Sequence, residues 1–220
     1  MIFKLVTRTC NNQNTIGLND GLDMLDDRVE EWVDKGTSVL EESGRLVHQV
    51  VQEFFAHEVV EDSFAESRVK VIARVKLLID HGADVNARNQ HEATPLHIAA
   101  RSGCLLLVKI LCKGGADLEA QNMHGATPLH NACREGTCDI VTYLVENKAE
   151  IDAKTTEGDT PLHQAVRKNK IENIEVLILA GAQTRIKNNR GDLPIKVTRL
   201  QETKDVFNKA VEEKAKKDSN

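Results

Sequence analysis

Three histidines, His97, His130 and His163, stand 33 residues apart. Three arginines, Arg101, Arg134 and Arg167, keep the same step four residues later. Imidazoles could ligate a metal, and guanidinium forks suit carboxylates or phosphates. A shared ion needs ligands about 2 Å from it. Elements packed side by side lie about 8–10 Å apart, so one ion could not bridge the three histidines. The five cysteines form no CxxC pair, and no GxSxG, HExxH or GxxxxGK[ST] motif occurs. No nucleophile–base constellation stands out. An enzyme would need its active site in residues 1–64, where the only histidines are His48 and His57. Those two fall on one predicted helix and read as partly exposed. The sequence therefore points away from catalysis and calls for no cofactor.

The elements that position these residues are repeats. Thr94-Pro95-Leu96-His97 returns as Thr127-Pro128-Leu129-His130 and as Thr160-Pro161-Leu162-His163. A worn copy, Leu193-Pro194-Ile195-Lys196, follows at the same interval. A second marker keeps this beat, from Gly82-Ala83-Asp84-Val85-Asn86 to Gly115-Ala116-Asp117-Leu118-Glu119 and Lys148-Ala149-Glu150-Ile151-Asp152. Each Thr is placed to cap a helix whose first residue is a Pro with preset φ. Small residues follow at Ala99-Ala100, Ala132-Cys133 and Ala165-Val166, and permit close helix approach.

Two markers in one register resemble the ankyrin-repeat family, whose unit is a β-turn plus two antiparallel helices. The resemblance implies an all-α solenoid over 69–211. It divides into a partial unit 69–88, full units 89–121, 122–154 and 155–187, and a C-terminal cap unit 188–211. In such a unit the His is structural and ties the turn to the helix. Partners are bound on the concave face, by turn tips and exposed inner-helix residues. Carried over by position, the partner-binding candidates are Arg101, Arg134 and Arg167 on the inner helices, with His91, Met123, His124, Glu157, Asp159 and Arg190 at the turn tips. The three arginines should form a solvent-facing column for an acidic patch on a protein partner, and reversing all three should leave melting nearly unchanged. The alternative is that Arg is only a soluble helix former there. Asn86 matches the family's asparaginyl-hydroxylation pattern, with Leu78 eight residues before it; it could equally close its own loop. Glu92 occupies a turn position held elsewhere by Gly125, Gly158 and Gly191, and reads as a local fault.

Residues 1–21 have loop composition, and 22–68 read as an acidic helical segment serving as a divergent N-terminal cap. Within it, Leu22, Leu25, Val29, Trp32 and Val33 keep helical spacing. A second apolar stripe covers 46–55, and 61–68 look like a connection. Residues 212–220 read as a charged, frayed tail. Residues 1–64 hold 5 basic and 13 acidic side chains, a balance of −8, whereas the rest carries 24 and 21, a balance of +3. The acidic segment could cover the concave face in cis, which is a regulatory alternative to a plain adaptor. An acidic chain argues against nucleic acid. No apolar run approaches a membrane span. Reduced thiols suit the cytoplasm or nucleus.

Overall fold

The computed structural model describes residues 47–51 and 64–218. Its elements are α1 (Phe64–Asp80), α2 (Pro95–Arg101), α3 (Leu105–Lys113), α4 (Pro128–Glu135), α5 (Cys138–Glu146), α6 (Pro161–Arg167), α7 (Ile171–Leu179), a 3-10 turn (Pro194–Val197) and α8 (Gln201–Asp218). Among the described residues there is no strand. Helices α2, α4 and α6 stack in one layer that ends on the 3-10 turn. Helices α1, α3, α5, α7 and α8 stack in a second. Leu96, Leu129 and Leu162 from the first layer meet Leu107, Leu111, Ile140, Leu144, Ile174 and Leu177 from the second, all 0 % exposed. Ala99-Ala100, Ala132-Cys133 and Ala165-Val166 are equally buried, which is where the small residues let the inner helices close up.

Each inner helix starts the same way. Thr94, Thr127 and Thr160 are extended at φ −86°, −86° and −89°, and Pro follows at the first helical position. The Thr backbone N–H donates to the His Nδ1 three residues on, at 3.1 Å in all three units. This is a capping box with an imidazole in the place usually held by Glu or Gln. Because Nδ1 accepts, the proton must sit on Nε2. Nε2 then donates to a carbonyl in the next unit: His97 to Ala126 at 2.8 Å, His130 to Asp159 and His163 to Asp192 at 3.1 Å. Both ring nitrogens are engaged in structure, which accounts for the histidine column.

The sequence reading needs correction at the N-terminal end. His48 is buried, not partly exposed, and its Nε2 lies 3.0 Å from the Ala93 carbonyl oxygen. That contact repeats the one made by His97, His130 and His163. Val47, Val50 and Val51 are buried as Leu96, Ala99 and Ala100 are. Residues 47–51 are thus the inner element of a full first unit. His48 precedes Val75 by 27 residues where His97 precedes Val108 by 11, so this unit carries sixteen extra residues and falls out of the 33-residue step. The supposed connection at 61–68 is also too long, because α1 already begins at Phe64. Calls on 1–46, including the loop at 1–21 and the helix from Leu22, lie outside the described residues.

At the other end the worn unit lacks the Thr cap and the His, and its inner element shrinks to the 3-10 turn. Its outer helix α8 does not fray at 212; it runs to Asp218. Thr203, Phe207 and Ala210 anchor it. Glu202 in its first turn and Lys216 and Lys217 in its last complement the helix dipole. Asn169, itself in the left-handed region at φ 54°, accepts from Thr198 Oγ1 at 2.9 Å and Thr203 Oγ1 at 3.0 Å. These bonds clip the closing unit to the one before it.

Glu92 takes φ 56°, beside 67°, 75° and 80° at Gly125, Gly158 and Gly191. A side chain in that region costs about 1 kcal/mol. Its side chain makes an exposed pair with Arg88 at 3.8 Å, worth a few tenths of a kcal/mol. Glu92→Gly is expected to raise the melting midpoint by about 2–4 °C. An unchanged or lower midpoint in calorimetry would show that the glutamate is better accommodated than its backbone angle implies.

Candidate protein-binding face

The turns are fixed by three ladders of hydrogen bonds. At the tips, Met123 N–H donates to His91 O, Thr156 N–H to His124 O and Asn189 N–H to Glu157 O, each at 3.0 Å. Below them, Asn89, Asn122 and Asn188 close their own turns: each Oδ1 accepts two backbone N–H groups, from residues two and four positions on. Thr155 takes this place in the third turn, where Asp159 N–H reaches its Oγ1 at 3.2 Å. At the opposite end of each unit, Asn86, Glu119 and Asp152 accept from the N–H of Asp117, Glu150 and Gln183 in the next unit at 2.8, 2.7 and 2.9 Å. Asn86 also donates from Nδ2 to Gly115 O at 3.1 Å, so its amide closes the loop between two units.

The tip backbone is therefore bonded from unit to unit while the tip side chains face solvent. His91, Met123, His124, Glu157 and Arg190 are all exposed, as the sequence implied. Met123 is 52 % exposed although it is apolar. Glu157 and Arg190 face each other across adjacent turns at 3.3 Å.

Asp159 does not belong with them. It is 1 % exposed, so it is removed from the set of partner contacts. Its position precedes the capping Thr and points into the stack, where the first two turns carry Ala93 and Ala126. Its carboxylate pairs with Arg167 and accepts from Asn188 Nδ2 at 2.9 Å and Gln164 Nε2 at 3.2 Å. Burial pushes this carboxyl up, but hydrogen bonds from Arg167 and Asn188 outweigh it and hold it below the usual carboxylate range.

The arginines line the inner helices, yet they are not three equivalent free cations. Arg101 Nε donates to Glu135 Oε2 at 2.8 Å. Arg134 reaches Glu135 Oε1 through Nε at 2.9 Å and Nη2 at 2.7 Å. One carboxylate thus serves two guanidinium groups, and about one positive charge remains over. Burial tends to raise Glu135, but its bonds and charges from both arginines leave it lowered. Arg167 instead neutralises the buried Asp159, so it does structural work that the sequence reading did not assign to it.

Cys112 and Cys133 fit packing. Cys133 is fully buried and its thiol is pushed far up by burial; the half-buried Cys112 is pushed up to about 11 for the same reason. Neither is poised as a thiolate at neutral pH. No group of three or more His, Cys, Asp or Glu among the described residues is arranged to hold a metal. No helix among them is long and apolar enough to cross a membrane.

Paired helices stacked at a 33-residue step, with imidazole-capped inner helices and laddered turns, define a helical repeat solenoid. The chain belongs to the ankyrin-repeat family: the family described as Ankyrin repeats (3 copies) matches residues 63–122 and 115–188. Such repeats generally mediate protein–protein interaction and are typically not catalytic. No curated protein sequence matches the chain.

Proposed function

We propose that this protein is a non-catalytic adaptor that binds a partner protein across its turn tips and inner helices, in the cytoplasm or nucleus. The observation that carries this reading is the set of exposed side chains at His91, Met123, His124 and Glu157, mounted on a backbone ladder that links each tip to the next. A surface ordered before binding loses little conformational entropy when it is covered. Met123 offers an apolar anchor, and Arg101 with Arg134 offers the positive charge that Glu135 leaves unbalanced. A partner with an acidic patch beside an apolar residue fits that chemistry.

The test is to identify partners by crosslinking in native lysate and then measure their affinity for variants. Arg101→Glu with Arg134→Glu should weaken binding by roughly two- to thirtyfold, on the scale of two exposed ion pairs lost. Lys76→Glu with Lys113→Glu, on the outer layer, should leave it unchanged. Arg167 is left out of the set. Arg167→Glu strands the buried Asp159 carboxylate and should cost about 3 kcal/mol of stability, contrary to the sequence expectation of a neutral reversal. Equal loss in the outer-layer control, or normal binding by the folded inner-layer variant, would defeat the proposal.

A further inference from the structure

The binding face has a candidate occupant within the same chain. Residues 20–34 hold seven acidic side chains and one basic one, a balance of −6, and lie outside the described part. Leu22, Leu25, Val29, Trp32 and Val33 run through this stretch at helical spacing. It is thus an acidic segment with an apolar stripe, and a stripe of that kind favours burial against another surface.

The structure fixes where this segment is tethered. Val47 is the first described residue of the inner element of the first unit, and matches Leu96 near the capped start of α2. His48 holds that element against Ala93, two residues from the first turn tip at His91. The chain therefore enters the solenoid beside the binding face. Twelve residues, 35–46, separate Asp34 from Val47, and they can span up to about 40 Å. Arg101 and Arg134 lie one and two units further along, at about 10 Å per unit. Reach is ample, and a short tether gives an effective concentration of about a millimolar.

The charges are complementary. The inner helices present Arg101, Arg134, Arg167 and Lys168 against Glu135 and the buried Asp159, a balance of +2. The exposed Met123 stands at the tip of the unit that carries Arg134, bonded to the tip of the unit that carries Arg101. We infer that residues 20–34 dock in cis on the face formed by Arg101, Arg134 and Met123, so that a partner must displace them to bind. The occupant brings carboxylates to the arginines and an apolar stripe to Met123.

Trp32 is the only tryptophan in the chain, which makes it a built-in reporter. Acrylamide quenching of its fluorescence is measured in the full chain, in Arg101→Glu/Arg134→Glu, in Met123→Asp and in the Lys76→Glu/Lys113→Glu control. Trp32 should be shielded at low salt. Quenching should rise in both face variants; in Arg101→Glu/Arg134→Glu, the loss of two pairs shifts a docking equilibrium by roughly two- to thirtyfold. It should also rise towards about 1 M salt, where the screening length falls to about 3 Å. The control should match the full chain, and dilution should change nothing. If Arg101→Glu/Arg134→Glu loses its helical circular dichroism, Arg101→Gln/Arg134→Gln takes its place. Quenching that is the same in the face variants as in the full chain, a control that moves as much, or shielding lost on dilution would overturn the inference. The assay contains no partner, so it can fail while partner binding on this face stands.

Discussion

Acidification from pH 7 to pH 5 should weaken this solenoid before its carboxylates titrate. Burial lowers His130 to about 4 from an ordinary value of 6.5, and it lowers His97, His163 and His48 as well. The geometry gives the same sign. Each repeat imidazole accepts the Thr N–H at Nδ1, and a proton there would set two donors against each other. The folded state therefore holds these rings neutral, whereas the unfolded chain protonates them near 6.5. Between those values the unfolded state binds more protons, so stability rises with pH. The contribution is fully present above about pH 6.5 and is lost as pH falls towards the folded values. His130 alone accounts for about 3 kcal/mol across that window, and about 2 kcal/mol of it is gone by pH 5. Asp159 and Glu135 follow the opposite chemistry. Their depressed values stabilise the fold above the ordinary carboxylate range and are lost only as pH falls below it. Denaturant midpoints at pH 7, 6 and 5 check the first window. His130→Gln should weaken the protein at pH 7 and flatten its pH slope. Equal stability at pH 7 and pH 5 would contradict the account.

Gly136→Ala should be among the most damaging single-methyl changes in the stack. A Cβ at Gly136 would lie 2.5 Å from the Ala100 carbonyl oxygen and 2.8 Å from that of Ala132. Both obstacles are backbone, one of them in the preceding unit, so no flexible side chain can move aside. Relief requires α2 and the C-terminal end of α4 to separate. Overpacking of this kind costs about 1–3 kcal/mol and sometimes more, and rigid backbone neighbours place this case at about 3 kcal/mol or above. Gly191→Ala is the matched control. It meets nothing within 4 Å and pays only for its φ of 80°, about 1 kcal/mol. Urea unfolding separates the two; equal losses would mean that unit spacing is softer than the close contact implies.

Legibility in the sequence followed the step of 33. Thr, Pro, Leu and His recur at that step because each serves the same cap, core and inter-unit bond, and the family followed from them. His48 serves the same bond, but it was unreadable: Arg45-Leu46-Val47 replaces Thr-Pro-Leu before it, and sixteen extra residues break the interval. Asn89, Asn122 and Asn188 close the turns and do stand at multiples of 33, a signal that was present but less conspicuous than the Thr-Pro-Leu-His motif. Asp159 was misread because a carboxylate in a turn usually faces water. The clue was a charge where the first two turns carry Ala93 and Ala126. Whether Arg167 pairs with that carboxylate depends on how successive units are offset, which a one-dimensional repeat does not encode. Glu135 is likewise a neighbour of Arg134 in sequence but of Arg101 only in the stack.

We propose that partners are held by the turn tips and inner helices. Hydrogen–deuterium exchange on the full chain, with and without a crosslink-identified partner, tests it most directly. The account predicts slowed exchange in residues 89–94, 122–127 and 155–160 and along α2 and α4, with α3, α5 and α7 unchanged. Protection confined to α3, α5 and α7 would contradict it.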